Sequence, residues 1–195
     1  MSSRDWLAHA ERIDAAAYAA VARIDLPPLD QAMSRLSRAA DYSRLWLGAA
    51  ALLSLFGGSR GRRAAIEGFV AIGVTSAIVN TAMKPISRRP RPEREVLSAR
   101  HVRMPVSLSF PSGHAASAFA FATGVARVEP RASAPLHALA AAVAYSRVHT
   151  GVHFPADVIA GSLIGVGLAR LTGILRDRRS GTSHISAKRL IKERR

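Results

Sequence analysis

A short stretch of the chain brings together an arginine, a histidine and an aspartate, three residue types that can act together in catalysis. Arg147, His153 and Asp157 lie within eleven residues of one another, between two apolar segments. The aspartate follows the histidine by four residues, and a nucleophilic imidazole needs an orienting group of this kind. The planar guanidinium of the arginine can bind two phosphate oxygens at once. We expect this stretch to join two helices where they turn at a membrane surface.

A metal site is the alternative interpretation of the same stretch. His149, His153 and Asp157 follow one another at intervals of four residues, and on one continuous helix they would form a metal-binding face. Gly151 and Pro155 argue against a continuous helix there. A metal site would also leave the neighbouring basic residues without a purpose. The sequence therefore predicts that this stretch binds no metal.

Two further stretches of chemical interest stand at the ends of neighbouring apolar segments. Lys84 and Arg91 follow one segment, and Ser112, Gly113 and His114 begin the next. Ser112 and Gly113 are predicted to open a helix, where free backbone N–H groups and the helix dipole favour an anion. Fixed cations and N–H donors are also what stabilises the charge that develops in phosphoryl transfer. The three stretches together predict an anion site.

The elements that must position these residues are apolar helices. About half of the residues (49%) are hydrophobic and 6% are aromatic, which suits packed membrane helices with small residues at their contacts. We predict an all-α integral membrane bundle of five to six helices. The predicted spans, the first of which is short unless it begins near Ala39, are residues 45–56, 64–83, 113–128, 134–145 and 158–175. If each crosses once, all three chemical stretches lie at the same membrane face.

The regions outside these spans are polar or strongly charged. Residues 1–43 are predicted to form amphipathic interfacial helices, the first over 5–25 and ending at Leu26-Pro27-Pro28, the second over 29–43. A solvated first helix that packs on the rest is equally compatible with its pattern. Residues 44–176 form the membrane-embedded domain, with a basic turn at 60–63, and residues 177–195 form a basic, disordered cytoplasmic tail.

The net charge of +15 restricts the classes of partner. The basic residues cluster between apolar segments and in the tail, which is typical of cytoplasmic anchoring and contact with anionic lipid. A nucleic-acid binder would interleave basic residues with stacking aromatic residues, so nucleic acid is not expected as a partner. Because the chain contains no cysteine, disulfides and thiolate metal sites are excluded. No secretory signal peptide is expected at the N-terminus.

The loop between the second and third predicted spans is polar, rich in proline and basic. Its arginines other than Arg91 are interpreted as solvated or facing lipid headgroups: Arg88, Arg89, Arg94, Arg100 and Arg103. Arg89 precedes a proline just as Arg91 does, two residues earlier. Residue types alone leave open which of the two belongs to the anion site.

The order and spacing of the three stretches resemble a known signature. The matching positions are Lys84, Arg91 and Pro92; Pro111, Ser112, Gly113 and His114; and Ser146, Arg147, His153 and Asp157. The pattern is similar to the three-part signature of the type 2 phosphatidic acid phosphatase superfamily, which also includes bacterial acid phosphatases and vanadium haloperoxidases. The resemblance covers about residues 60–175, and the spacing of the family selects Arg91 over Arg89.

The resemblance implies a role for each signature residue. His153 would be the nucleophile that forms a phosphohistidine, and Asp157 would fix its tautomer and stabilise the imidazolium. His114 would protonate the leaving oxygen and later activate water. The phosphate would be bound by the remaining positions: Lys84, Arg91, Ser112, Gly113 and Arg147.

The resemblance also implies an activity. We expect a membrane phosphatase without metal or cofactor that hydrolyses a lipid phosphomonoester or diphosphate, such as a polyprenyl phosphate, a phosphorylated polyprenyl sugar or phosphatidic acid. The Ala- and Arg-rich composition is typical of high-GC bacteria, so the expected location is a bacterial plasma membrane. The resemblance implies a site on the extracytoplasmic side of that membrane. The expected partners are the lipid phosphate and membrane lipids, and the sequence leaves the oligomeric state open.

The alternative functions differ in the kind of protein and in the residues that they require. Vanadium haloperoxidases resemble large soluble proteins, unlike this chain. A lipid phosphotransferase, in which an alcohol replaces water, would use the same residues. A membrane scaffold or a basic nucleic-acid binder would function without His153.

Overall fold

The computed structural model describes residues 3–93 and 102–193, with side chains for residues 5–93 and 102–179. All regular structure within these ranges is helical. The α-helices are α1 (Ser3–Ala22), α2 (Pro27–Ala39), α3 (Arg44–Phe56), α4 (Gly58–Ile78), α5 (Lys84–Ser87), α6 (Gly113–Ala126), α7 (Ser133–His149) and α8 (Pro155–Glu193). A single 3₁₀ turn at Asp41–Ser43 joins α2 to α3, another at Pro130–Ala132 precedes α7, and a π-helical segment at Val79–Met83 joins α4 to α5.

The first two helices differ slightly from their predicted bounds. The prolines predicted to end the first helix instead occupy the first turn of α2. Proline is tolerated there because the first N–H groups of a helix have no intrahelical partner. Helix α1 packs against α7 and α8, with Asp14 buried, while Trp6 and Leu7 are exposed. It is therefore attached to the bundle by one face and presents apolar side chains on another.

The predicted basic turn at residues 60–63 is wrong. Helix α3 ends at Phe56 and α4 begins at Gly58, so Arg60 and Arg63 lie in the first turns of α4. The reversal is completed at Gly57 and Gly58, and Gly58 has a positive φ of 55°, which glycine adopts without a steric penalty. A turn this short leaves the arginines inside the helix.

Among the described residues, two helical stretches are long and apolar enough to cross a membrane, Gly58–Ser87 and Pro155–Arg179. The other predicted spans correspond to α3, α6 and α7, with 13, 14 and 17 residues. At about 1.5 Å per residue these helices rise roughly 20 to 26 Å, less than a hydrocarbon core of about 30 Å. Of the five predicted spans, those at 64–83 and 158–175 thus lie in helices long enough to cross, and the other three lie in shorter helices of the described ranges.

Two helix ends lie beyond the predicted boundaries. The loop predicted to start at Lys84 begins four residues later, because the helical path continues through the π-helical segment to Ser87. The last span was predicted to end at Leu175 and to be followed by a disordered tail. Helix α8 instead runs to Glu193.

Helix α6 lies at the centre of the bundle and contacts α4, α7 and α8. Most of its buried residues are alanines, and Phe121 packs against Trp46 and Phe69, with ring centroids 5.3 and 5.8 Å apart. Helix α8 approaches α6 so closely that a Cβ added at Gly161 would lie 2.5 Å from the carbonyl oxygen of Ser112. This contact fixes the N-terminus of α6 beside the N-terminus of α8.

Candidate active site

The helix arrangement brings the three chemical stretches to one end of the bundle. Each signature residue lies at or near a helix end: Lys84 at the start of α5, Ser112 to His114 at the start of α6, Arg147 in the last turn of α7, His153 in the loop between α7 and α8, and Asp157 in the first turn of α8. Arg91 reaches the same region from the loop that follows α5. The basic residues and the two histidines therefore surround one site.

His153 and Asp157 form the pair that the sequence predicts. The Nδ1 atom of His153 lies 3.4 Å from Oδ2 of Asp157, and both side chains are buried. The same Oδ2 accepts hydrogen bonds from the backbone N–H of Phe154, at 3.0 Å, and from the hydroxyl of Ser109. Ser109 Oγ also lies 3.3 Å from His153 Nδ1. Ser109 was not identified from the sequence, where a hydroxyl in a loop gives no signal of its own.

Arg91 contacts His153 at its second ring nitrogen, Nε2. Its Nη1 atom donates to the carbonyl oxygen of Val152 at 2.8 Å and to Nε2 of His153 at 3.1 Å. Since a guanidinium only donates, Nε2 accepts and carries the lone pair. The ring proton is then on Nδ1, directed towards Asp157. This tautomer leaves the unprotonated lone pair of the ring on Nε2.

Burial controls the protonation of His153. Loss of solvent lowers its pKa to about 3, against the opposing hydrogen bond to Asp157. The positive charge of Arg91 acts in the same direction as burial. His153 is therefore neutral at ordinary pH, which is the form that can attack phosphorus.

Lys84 and Arg91 converge on one hydroxyl group. Lys84 Nζ donates to Ser107 Oγ at 3.1 Å, and Arg91 Nη2 donates to the same atom at 3.2 Å. A Cβ at Gly113 would lie 3.7 Å from Lys84 Nζ, so the lysine reaches the N-terminus of α6. Ser112 is the N-cap of that helix, and its Oγ accepts from the N–H of Ala115 at 3.4 Å.

Arg147 helps to shape the site from the interior of the bundle. Its side chain is buried, and Nη1 donates to Ser37 Oγ at 2.6 Å and lies 3.6 Å from Asp41 Oδ1. Its carbonyl oxygen accepts from the N–H groups of Val152 and His153, at 3.0 and 3.1 Å. Arg147 thus links α2 to the loop that carries His153.

His114 pairs with an aspartate that the sequence analysis did not select. Its Nε2 atom lies 2.9 Å from Oδ1 of Asp41, in the 3₁₀ turn before α3. A cavity of about 370 Å³, lined by Asp41, Tyr42, Arg103, Met104, Pro105, Val106, Ser107 and His114, opens on one side of the ring. A second cavity of about 190 Å³ is lined by His114 together with Asn80, Lys84, Gly113 and Trp46, among others. His114 therefore lies between a mainly apolar cavity and one with residues predicted to bind phosphate.

The interpretation of Arg89 as a solvated residue is wrong. Its Nη1 donates to Oδ1 of Asp157 at 2.7 Å, and its Nη2 donates to Oδ2 of Asp14 at 2.6 Å. The guanidinium also lies over the ring of Phe154, 4.4 Å from its centroid, and Tyr18 meets that ring edge-on. Arg89 thus joins α1 to the carboxylate of Asp157, so both Arg-Pro pairs contribute to the site.

The other arginines in that loop differ from Arg89. Arg88 and Arg103 are exposed, as expected, whereas Arg94 and Arg100 lie outside the described residues.

His149, one of the three residues of the alternative metal site, binds a residue of another helix. His149 Nε2 lies 2.6 Å from Asp30 Oδ1, in a contact between α7 and α2. Among the side chains that the structure describes, those of residues 5–93 and 102–179, no group of three or more histidine, cysteine, aspartate or glutamate residues is arranged to hold a metal ion.

The sequence of the chain matches a known family over the region that carries these residues. Residues 65–180 match the sequence profile of the PAP2 superfamily. The chain belongs to the PAP2 superfamily. Over 169 residues it is 32% identical to decaprenylphosphoryl-5-phosphoribose phosphatase of Mycobacterium tuberculosis, covering 86% of this chain and 90% of the relative. A shorter match, 40% identical over 67 residues, covers 34% of this chain and 28% of lipid A 1-phosphatase of Rhizobium johnstonii.

The fold also has a solved counterpart among PAP2 proteins. A transmembrane PAP2-type phosphatidylglycerolphosphate phosphatase from Bacillus subtilis superimposes with a TM-score of 0.68 at 23% identity, covering 87% of each chain. The predicted family and the predicted all-α membrane bundle are therefore confirmed. As a PAP2 protein the chain is a phosphatase of the membrane, a hydrolase that acts on phosphate esters.

Proposed function

We propose that this PAP2 phosphatase hydrolyses a lipid phosphate in two steps through a phosphohistidine on His153. The observation that carries the proposal is the position of Nε2 of His153. Arg91 donates to this atom while Asp157 lies at Nδ1, so the lone pair is held among the phosphate-binding cations. A neutral, oriented imidazole beside fixed cations is an activated nucleophile for phosphorus.

In the first step, Nε2 of His153 bonds to phosphorus as the bond from phosphorus to the lipid oxygen breaks. His114 gives a proton to that oxygen, because an alkoxide is a poor leaving group. In the second step His114 takes a proton from water, whose oxygen bonds to phosphorus as the P–N bond breaks. Asp157 stabilises the positive charge on the phosphorylated ring. Lys84, Arg91, Arg147 and the N-terminus of α6 balance the charge of the phosphate.

The substrate that we propose is a polyprenyl phosphate or diphosphate, or a phosphorylated polyprenyl sugar. The relative from Mycobacterium tuberculosis, which is matched over 90% of its length, bears the name of a phosphatase of this lipid class. The mainly apolar cavity beside His114 supports a leaving group with apolar parts. We further propose that the site faces the extracytoplasmic side of a bacterial plasma membrane and that catalysis needs no metal.

Two histidine variants test the proposed mechanism. His153→Ala should lose nearly all activity on both a lipid phosphate and p-nitrophenyl phosphate, because no other group replaces the nucleophile. His114→Ala should lose about 10²-fold or more on the lipid phosphate, the usual size of an acid–base contribution, and much less on p-nitrophenyl phosphate. The reason is that p-nitrophenolate departs without a proton.

The control and the intermediate complete this test. His137 contacts Thr123 and Ser133 instead of the site, so His137→Ala should keep both activities. Acid-quenched wild type should carry label from ³²P-labelled lipid phosphate, and His153→Ala should not. Label retained without His153, or equal losses on both substrates for the two site variants, would refute the assigned roles. A product in which an added alcohol carries the phosphate would identify a phosphotransferase.

A further inference from the structure

Asp41 lies in the 3₁₀ turn between α2 and α3 and meets the active site from the side. Its Oδ1 accepts from Nε2 of His114 at 2.9 Å and lies 3.6 Å from Nη1 of Arg147. The hydrogen bond with His114 keeps the pKa of Asp41 below its ordinary value, so the group is a carboxylate. One carboxylate thus contacts both a histidine and an arginine of the PAP2 signature.

The backbone around Asp41 adopts an unusual conformation. Tyr42 and Ser43, the next two residues, have φ values of 55° and 59°. Left-handed backbone is sterically unfavourable for a non-glycine residue, and it persists only where surrounding contacts enforce it. The contacts of Asp41 with His114 and Arg147 are of that kind. The turn is therefore shaped in a way that places this carboxylate at the ring of His114.

The charges around His114 indicate what the carboxylate of Asp41 does at this site. Burial of the His114 ring opposes a positive charge on it most strongly, and the cationic neighbours Arg147 from α7 and Lys84 from α5 oppose it as well. Asp41, from the turn before α3, is the acidic neighbour and favours that charge. A general acid must carry a proton before it can donate one, so an acid in this cationic site needs a counter-charge.

We propose that Asp41 is a positioning residue for proton transfer, which holds the Nε2–H of His114 so that the imidazolium forms and its Nδ1–H faces the leaving oxygen. The inference rests on the proposed role of His114 as the acid. In the first step the Nδ1 proton passes to the lipid oxygen, while the Nε2 proton stays on the bond to Asp41. In the second step Nδ1 takes a proton from water, and the imidazolium re-forms against the same carboxylate.

The decisive variant is Asp41→Asn, which keeps a side-chain oxygen for Nε2–H and removes the charge. We expect it to lose about 10- to 100-fold in kcat on a lipid phosphate, which is at most the loss of His114→Ala. On p-nitrophenyl phosphate the loss should be under about threefold, because that leaving group needs no acid. A general defect of folding would lower both rates by the same factor, so the ratio of the two rates separates the explanations.

The chain offers a matched control in Asp30. It binds a buried histidine, His149, in the same way and from the same N-terminal region, at 2.6 Å. Asp30→Asn should therefore disturb the packing to a similar degree without changing the ratio of the two substrate rates. Asp41→Glu, which restores the charge on a longer side chain, should recover part of the activity on the lipid phosphate.

The outcomes also separate this inference from the mechanism on which it rests. If His114→Ala shows the leaving-group dependence and Asp41→Asn does not, Asp41 has no part in proton transfer. If His114→Ala itself lacks that dependence, the proposed mechanism fails first. In the double variant His114→Ala/Asp41→Asn, we expect no loss beyond that of His114→Ala, because residues that act as one unit are not additive. Fully multiplied losses would contradict the inference.

Discussion

The contact between α8 and α6 at Gly161 leads to a prediction about how tightly the active site is positioned. In Gly161→Ala, the new Cβ would lie 2.5 Å from the carbonyl oxygen of Ser112, whereas ordinary contact begins at 3.4 Å. The two helices must therefore separate locally by about 0.9 Å, since the opposing atom is backbone and cannot rotate away. Gly161 lies one turn after Asp157, so the shift moves the start of α6 relative to the His153–Asp157 pair.

A displacement of about 1 Å in a catalytic site can cost on the order of 10²-fold in rate. We therefore expect Gly161→Ala to lose about 10- to 100-fold in kcat/KM on a lipid phosphate, equivalent to roughly 1.4 to 2.7 kcal/mol in the activation free energy. The assay is phosphate release by purified enzyme in detergent, with the elution volume in size-exclusion chromatography as the check on folding.

Gly167 provides the control on the same helix, because a Cβ there meets nothing within 4 Å. Gly167→Ala should keep wild-type activity and gain some helix stability from the better propensity of alanine. If Gly161→Ala folds normally and stays within twofold of wild type, the close approach of α8 to α6 does not set the geometry of the site.

Asp14, His153, the phosphate site and the exposed loops each respond to a specific change in a way that can be measured. Asp14→Asn removes one of the two carboxylates that bind Arg89. The loss of a hydrogen bond to a charged group, worth about 1.5 to 3 kcal/mol, should lower the midpoint of thermal inactivation by roughly 3 to 12 °C. Adding Arg89→Gln to this variant should not double the decrease. The pKa of His153 is about 3 in the folded protein and about 6.5 in an unfolded chain, so unfolding takes up a proton between these values. Stability should consequently fall as the pH is lowered from about 6.5 to 3, by up to roughly 1.4 kcal/mol per pH unit, and thermal denaturation of His153→Gln followed by circular dichroism should lack this slope. Phosphatase activity should survive EDTA and should be inhibited by vanadate, which mimics the five-coordinate transition state. A loss of activity on chelation that zinc or magnesium restores would contradict a metal-free mechanism. Because the chain has no cysteine, Val106→Cys and Arg131→Cys can report the orientation of the protein in the membrane. A membrane-impermeant thiol reagent applied to intact cells should label Val106→Cys and leave Arg131→Cys unlabelled. The reverse labelling would place the site on the cytoplasmic side.

The sequence predicted the parts of the structure that depend on neighbouring residues. Apolar segments gave the positions of α3, α4, α6, α7 and α8, and the spacing of His153 and Asp157 gave their pairing. The two-glycine turn before α4 was missed because three arginines within the four residues 60–63 are also typical of a loop. Helix continuation through the π-helical segment was missed because it leaves no mark in composition.

The contributions of Arg89 and Asp41 were beyond local patterns for a different reason. Arg89 binds Asp14, 75 residues earlier, and Asp41 binds His114, 73 residues later. Nothing in the residues around Arg89 indicates whether its guanidinium faces solvent or a carboxylate, since both Arg-Pro pairs look alike. The packing of α1 against the bundle determines the partner of Arg89, and the packing of the 3₁₀ turn determines the partner of Asp41. A buried acidic residue on an otherwise exposed helix, such as Asp14, is the feature that reveals such a contact once burial is known.

The attachment of the N-terminal helices has a consequence for the order of events during synthesis. Ser37, Asp30 and Asp14 bond to residues 110, 119 and 142 positions further along the chain. At about 5 to 20 residues per second, a ribosome needs roughly 5 to 30 s to make those partners. During that interval the acidic side chains of the first helices, Asp14 and Asp30, lack the partners that they bind in the folded protein. The site can close only when the start of α8 has been made, so a nascent chain released before then cannot yet be a phosphatase.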